Sequence, residues 1–116
     1  MSNEVDPTIR KFSSGAQRNA AAGKGRYDLI PPRALHAVAQ VYEKGALKHG
    51  ENNWAKGMPT KYMLDSALRH INQYRMGDQG DPHLSHAIWN LLCALENDLD
   101  PELKAIQAGL AGNKAA

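Results

Sequence analysis

Two histidines and an asparagine, His83, His86 and Asn90, fall at i, i+3 and i+7 in a run that is otherwise mostly apolar. At about 100° of rotation per residue they share one side of a helix. A solvated face would carry Lys and Glu there. Instead Trp89, Leu92 and Cys93 widen the apolar part past a single stripe, as in a helix covered on most sides. Imidazoles drawn out of water need a metal, a carboxylate or a phosphate as partner, or a hydrogen bond within the core. Asp81 just ahead of this run adds a carboxylate, so Asp81, His83 and His86 form a candidate metal-ligand set; Asp78 lies close by. Two imidazoles with a carboxylate suit Mn, Fe or Zn, while Asp with Asn serves Mg on a bound triphosphate.

Other residues suit the phosphate and base of a nucleotide. In Gly23-Lys24-Gly25-Arg26 two glycines bracket a lysine and an arginine follows. Glycines let backbone amides approach an anion, and Lys and Arg supply charge. The spacing is not that of a Walker loop. Lys48 is a third candidate phosphate contact. Asn53-Trp54 sits in a polar loop, where the tryptophan either plugs the edge of the core or offers a stacking surface. Glu43, Asp65 and His70 are candidates to orient water or hold metal. Arg69 joins the substrate-binding candidates, although Asp65 and Arg69 also read as a surface pair four residues apart. Asp65 and His70 point roughly 140° apart on one helix, which argues against a shared site.

These side chains need helices to position them. Pro31 and Pro32 open a helix over about 33–49, with Leu35, Val38, Ala39, Tyr42 and Ala46 as its core stripe and Gly50 as its stop. Gly45 near that stripe predicts close helix packing. A second helix spans about 60–76, with Thr60 as N-cap and Leu64, Ala67, Leu68 and Ile71 inward. Asp81-Pro82 starts a third, to about 98, whose main core face is Leu84, Ile88, Leu91 and Leu95. Asp100-Pro101 starts a short fourth, to about 110. The expected architecture is all-α: three main antiparallel helices, a short C-terminal helix and an irregular N-terminal segment in one domain over 1–116. Residues 1–11 read as a flexible tail and 112–116 as a frayed end.

The chain has 116 residues, 42% of them hydrophobic and 22% charged, and a formal charge of +2. That length suits one domain whose core is completed by oligomerisation, as a dimer or tetramer. The modest charge argues against nucleic acid as the main partner, even with Arg10, Lys11, Arg18, Lys24 and Arg26 crowded near the start. No run approaches the roughly 18 apolar residues of a membrane span, and no apolar leader precedes a cleavage site. The single cysteine, Cys93, fits a reducing cytoplasm.

Taken in order, Gly23-Lys24-Gly25-Arg26-Tyr27-Asp28-Leu29-Ile30-Pro31-Pro32, Gly45-Ala46, Lys48, Asn53-Trp54, Arg69-His70, Gly77-Asp78, His83-Leu84, His86-Ala87 and Asn90-Leu91 resemble the phage-encoded dATP/dGTP diphosphohydrolase N-terminal-domain family. The resemblance covers about residues 12–96. It implies a phage or prophage protein that acts on purine deoxynucleoside triphosphates with a divalent metal, Mg or Mn, akin to the MazG-like all-α pyrophosphohydrolases. Those hold Mg²⁺ with ExxE and ExxD pairs. Here Glu43 stands alone on the first helix, and no ExxE occurs. The expectation is therefore a metal-dependent diphosphohydrolase giving dNMP and pyrophosphate. The alternatives are a non-catalytic phage protein that sequesters a host signalling nucleotide and, behind it, a helical nucleic-acid module.

Overall fold

The structure, a computed structural model, describes residues 6–112. It divides between Pro31 and Pro32 into two compact units. The expected tail begins outside the described residues; of the frayed end expected over 112–116, Gly112 is helical and the rest lies outside them.

The N-terminal unit holds a short antiparallel ribbon of β1 (Ile9–Lys11) and β2 (Gln17–Asn19), in the register Ile9↔Asn19, Arg10↔Arg18, Lys11↔Gln17. The turn between them closes with the Phe12 amide donating to the Ala16 carbonyl at 2.9 Å. Gly15 carries φ 92, a left-handed conformation that glycine adopts without strain. The last three residues of the expected tail are thus paired. Apart from Ile9 the strands are polar and exposed, so backbone bonds rather than an apolar alternation define them. Sequence periodicity had nothing to register.

The second unit is helical: α1 (Pro32–His49), α2 (Thr60–Arg75), α3 (His83–Leu99) and α4 (Pro101–Gly112). Taken together, the described residues are mostly helix, as expected, with the small ribbon as an addition. Ile30 is extended (φ −75, ψ 128) before Pro31, and Pro32 opens α1. α1 stops at Gly50, whose φ is 93 and whose amide donates to the Ala46 carbonyl at 2.9 Å. Asp100 caps α4, its Oδ1 accepting from the Glu102 amide at 2.9 Å.

Two expected caps are used differently. Thr60 is the first residue of α2, and its amide and hydroxyl both donate to Gln107 Oε1, at 3.0 and 3.3 Å, so α4 caps α2 from a distance. At α3 the cap position is Pro82; Asp81 contributes only its carbonyl, which accepts from the His83 amide at 2.8 Å.

α3 packs against α1, α2 and α4. It buries His83, Ala87, Asn90, Cys93, Ala94 and Asn97. The expected core face is therefore on the outside: Leu84, Ile88, Leu91 and Leu95 keep between 42 and 51% of their surface in water. Leu35 on α1 and Leu64 and Leu68 on α2 are exposed as well, where Val38, Val41, Met63 and Ala67 are buried. Periodicity sorts residues onto faces but does not say which apolar face a chain covers by itself. The small and polar face went inside because its groups find partners. Asn97 Nδ2 donates to the Met58 carbonyl at 3.1 Å and to Thr60 Oγ1 at 3.0 Å, and Gln107 Nε2 donates to the same carbonyl at 2.7 Å.

These bonds fasten α4 over the segment that leads into α2, and Gly57 is its tightest point. Gly57 has φ 94, and a Cβ there would stand 2.7 Å from Ile106 Cγ2. Gly57→Ala thus combines left-handed strain with overlap against a branched side chain. The expected loss is about 1–3 kcal/mol, seen as a lower Tm and urea midpoint. Among the described residues no helix is long and apolar enough to cross a membrane.

Candidate functional site

The end of α2 and the first turn of α3 bring three histidines together. His70 Nδ1 and His83 Nδ1 are 2.9 Å apart, so one ring donates a proton to the other. The His86 ring stacks on His70, with centroids 4.9 Å apart and planes 15° from parallel. His83 is 2% exposed. Its second nitrogen, Nε2, lies 3.3 Å from Asp78 Oδ2. That is close enough for an ion pair but not aligned as a hydrogen bond, which leaves Nε2 buried without a hydrogen-bond partner. Asp78 is held in place by the Gly80 amide, which donates to its Oδ1 at 2.8 Å. Asn90, buried beneath, donates from Nδ2 to the His86 carbonyl at 2.9 Å and pins that turn.

Electrostatics favour a neutral ring at His70. Burial lowers its pKa from the ordinary 6.5, and His86, Arg69 and His83 lower it further against an opposing pull from Asp81. Asp78 is held below the usual carboxylate range by the Gly80 amide and by His83.

One helical turn further along α3, about 4.5 Å up its axis, Trp89 enters a second feature. A cleft of 540 Å³ opens between α1, the 50–54 loop and α3, lined by Tyr42, Glu43, His49, Asn53, Trp54 and Trp89 among others. Ligand clefts commonly span 300–1,000 Å³ and combine apolar walls with a few polar groups. Tyr42 meets Trp89 edge to face, centroids 5.9 Å apart. Burial, and then Cys93 Sγ 3.5 Å away, push the Tyr42 hydroxyl far above its ordinary pKa, so it stays protonated. Gly45 also lines this cleft, and nothing stands within 4 Å of where its Cβ would be. The expected close helix packing at Gly45 is replaced by open space: a side chain here would protrude toward the cleft.

The residues singled out from sequence separate into groups. Glu43, Asn53 and Trp54 share the cleft. His70, His83 and His86 form the cluster, with Asn90 behind. Lys24 and Arg26 belong to the N-terminal unit, where Arg26 makes a bidentate pair with Asp28 at 2.8 Å. Lys48 is exposed near the end of α1, next to His49 of the cleft. Asp65 is exposed on α2, and Arg69 donates to Ser66 Oγ at 3.0 Å rather than pairing with it. The carboxylate beside His83 is Asp78, and Asp81 is exposed. Among the described residues no three His, Cys, Asp or Glu side chains are grouped to hold a metal ion. His83 shows why: one of its nitrogens faces His70 and the other Asp78. Trp89 and Tyr42 had registered in the sequence only as apolar helix positions. Their signal was aromatic type one turn from His86 and one residue from Glu43.

A histidine cluster with one buried ring, His83, thus lies on a helical scaffold beside an aromatic cleft. The family model described as dATP/dGTP diphosphohydrolase, N-terminal, matches residues 14–106. The chain belongs to that family. No curated protein and no solved structure matches it.

Proposed function

We propose that the chain hydrolyses purine deoxynucleoside triphosphates, dGTP or dATP, to the monophosphate and pyrophosphate. The observation that carries this is the placement of an aromatic cleft and a histidine cluster one turn apart on α3, in a chain whose family is described by that reaction. In this reading the purine stacks against Trp54 and Trp89. Such stacking contributes about 1–3 kcal/mol per base. Asn53 and Glu43 meet the base edge; a carboxylate there accepts from N1–H and the N2 amine of guanine.

His70 is the proton acceptor. If Nε2 of His83 carries its proton toward Asp78, His83 Nδ1 is left to accept from His70 Nδ1–H. That leaves His70 Nε2 as a free lone pair, and its lowered pKa keeps it so near neutral pH. His83 and Asp78 are positioning residues, and His86 holds the plane of the ring by stacking. Lys48 and Arg69 are candidate phosphate contacts within the helical unit. Asp65, on another side of α2, has no part in the proposal.

The expected metal set of Asp81, His83 and His86 is not grouped around one point, so no step is routed through it. A divalent cation, Mg or Mn, enters with the triphosphate, whose oxygens supply most of its shell. Incubating the protein with each of the four deoxynucleoside triphosphates, with Mg²⁺ or Mn²⁺, tests the proposal. Pyrophosphate is expected from the purine nucleotides, and its absence throughout refutes it. The lone Glu43 and the lack of a three-donor group among the described residues favour one second reading, a binder that sequesters a nucleotide. It predicts a ligand recovered intact after heat denaturation and binding that survives EDTA.

The same proposal includes a homo-oligomer in the cytoplasm. Leu84, Ile88, Leu91, Leu92, Leu95 and Leu99 are all at least 42% exposed on α3. Together they present on the order of 600 Å² of apolar surface, at the upper end of the largest patches that monomers leave in water and approaching the roughly 800 Å² that each partner of a standard interface contributes. A second copy of this chain, offering the same face, is its occupant. Ile88→Asp is expected to shift sedimentation toward the monomer; an unchanged sedimentation coefficient would count against this face.

A further inference from the structure

We propose that the N-terminal ribbon is a binding site for a polyphosphate anion, with Arg10 and Arg18 as its principal contacts. The site deepens the nucleotide reading and rests on it for the source of its ligand.

The ribbon register puts Arg10 directly opposite Arg18. Residues so paired project from the same side of the ribbon, a few ångströms apart. Two like charges in that position destabilise a ribbon, and this one has almost no buried apolar surface to offset the repulsion. Neither arginine has a carboxylate opposite it in the register. Arg10 lies over the Phe12 ring, 5.3 Å from its centroid, which orients the guanidinium without neutralising it.

A hollow adjoins this pair within the same unit. Its lining includes Arg10, Gly23, Gly25, Arg26 and Asp28. Gly23 and Gly25 have φ of 80 and 91, the left-handed conformation that bends successive amides into a concavity suited to anions. Nothing lies within 4 Å of a Cβ position at Gly23, so the wall there is open backbone. Asp28 already engages Arg26 through both carboxylate oxygens, whereas Arg10 and Arg18 face each other across the ribbon. A compact anion with several charges satisfies both guanidinium groups at once. Arginine forks match phosphate oxygens in paired hydrogen bonds. A concave seat bordered by Arg10, with Arg18 paired opposite it on the ribbon, suits a short phosphate chain better than a nucleic-acid backbone, which needs an extended basic track.

Isothermal titration of the full chain with inorganic triphosphate tests the site. Binding is expected, weakening with added salt. Arg10→Gln and Arg18→Gln should each weaken it about tenfold or more, in line with charged hydrogen bonds. Lys104→Gln, the same charge change at an exposed position outside the ribbon, should leave it within about twofold, as expected for a solvent-screened charge that is not part of the site. Since both arginine side chains are exposed, circular dichroism should show unchanged folding. Absent binding, equal binding by the arginine variants, or an equal loss in Lys104→Gln overturns the site. So does tighter binding of duplex DNA than of triphosphate. The outcome separates from that of the proposed function. Pyrophosphate release without triphosphate binding defeats this site alone, and triphosphate binding without pyrophosphate release defeats the hydrolase reading alone.

Discussion

Replacing His70 with alanine is expected to lower the turnover of dGTP by about 10²–10⁴-fold, the contribution of a positioned general base. Affinity for dGMP should change little, because the base contacts lie in the cleft one turn away. The pH profile supplies a second signature. A base must be unprotonated to act, so activity rises with pH through the pKa of His70. Burial and the neighbouring His86, Arg69 and His83 lower that pKa below 6.5, so the acid limb should fall below pH 6.5. In His70→Ala that limb should vanish from the residual rate. Stability follows the same sign. The unfolded chain takes up a proton near 6.5 and the folded chain only at lower pH, so this contribution is present above 6.5 and is lost as the pH drops through the folded value. Thermal melts across pH 5–7 in the wild type and in His70→Asn check it; parallel curves would show that the shift has no such consequence.

Trp54→Ala is expected to weaken purine nucleotide binding by about 10- to 100-fold, the range that 1–3 kcal/mol of base stacking corresponds to. The tryptophan is half-buried at the cleft and packs against a core cluster that includes Met63, Cys93 and Ala94. A loss of fold must therefore be separated from a loss of contact. Trp54→Phe retains an aromatic face and should recover most of the affinity with the same melting temperature. The quenching of tryptophan fluorescence by dGMP measures both. If Trp54→Ala binds dGMP as tightly as the wild type, with the fold intact, the base does not sit in this cleft.

The helices were legible in the sequence because they depend on local chemistry: Pro32 at the start of α1, Gly50 at its end and Asp100 capping α4. The stripe His83, His86, Asn90 was legible too, since its polarity broke an apolar helix. What lay beyond reach was the side of each helix that turns inward. Leu84, Ile88, Leu91 and Leu95 satisfy every periodic criterion for a core face, yet they are exposed, because burial depends on which surfaces exist to cover them. The site partners also depended on tertiary packing. His70 reaches His83 from another helix, and Asp78 approaches His83 from the turn before α3, where Asp81 was the expected carboxylate. The cleft joins Glu43 to Trp89 across 46 positions of sequence, a proximity that only the packing of α1 on α3 creates.

The most direct test is the phosphorus NMR spectrum of dGTP incubated with the protein and Mg²⁺. The account predicts that dGMP and pyrophosphate signals grow together in equal amounts while those of dGTP decline. A dGTP spectrum that stays unchanged, or one that yields dGDP and orthophosphate, would contradict it.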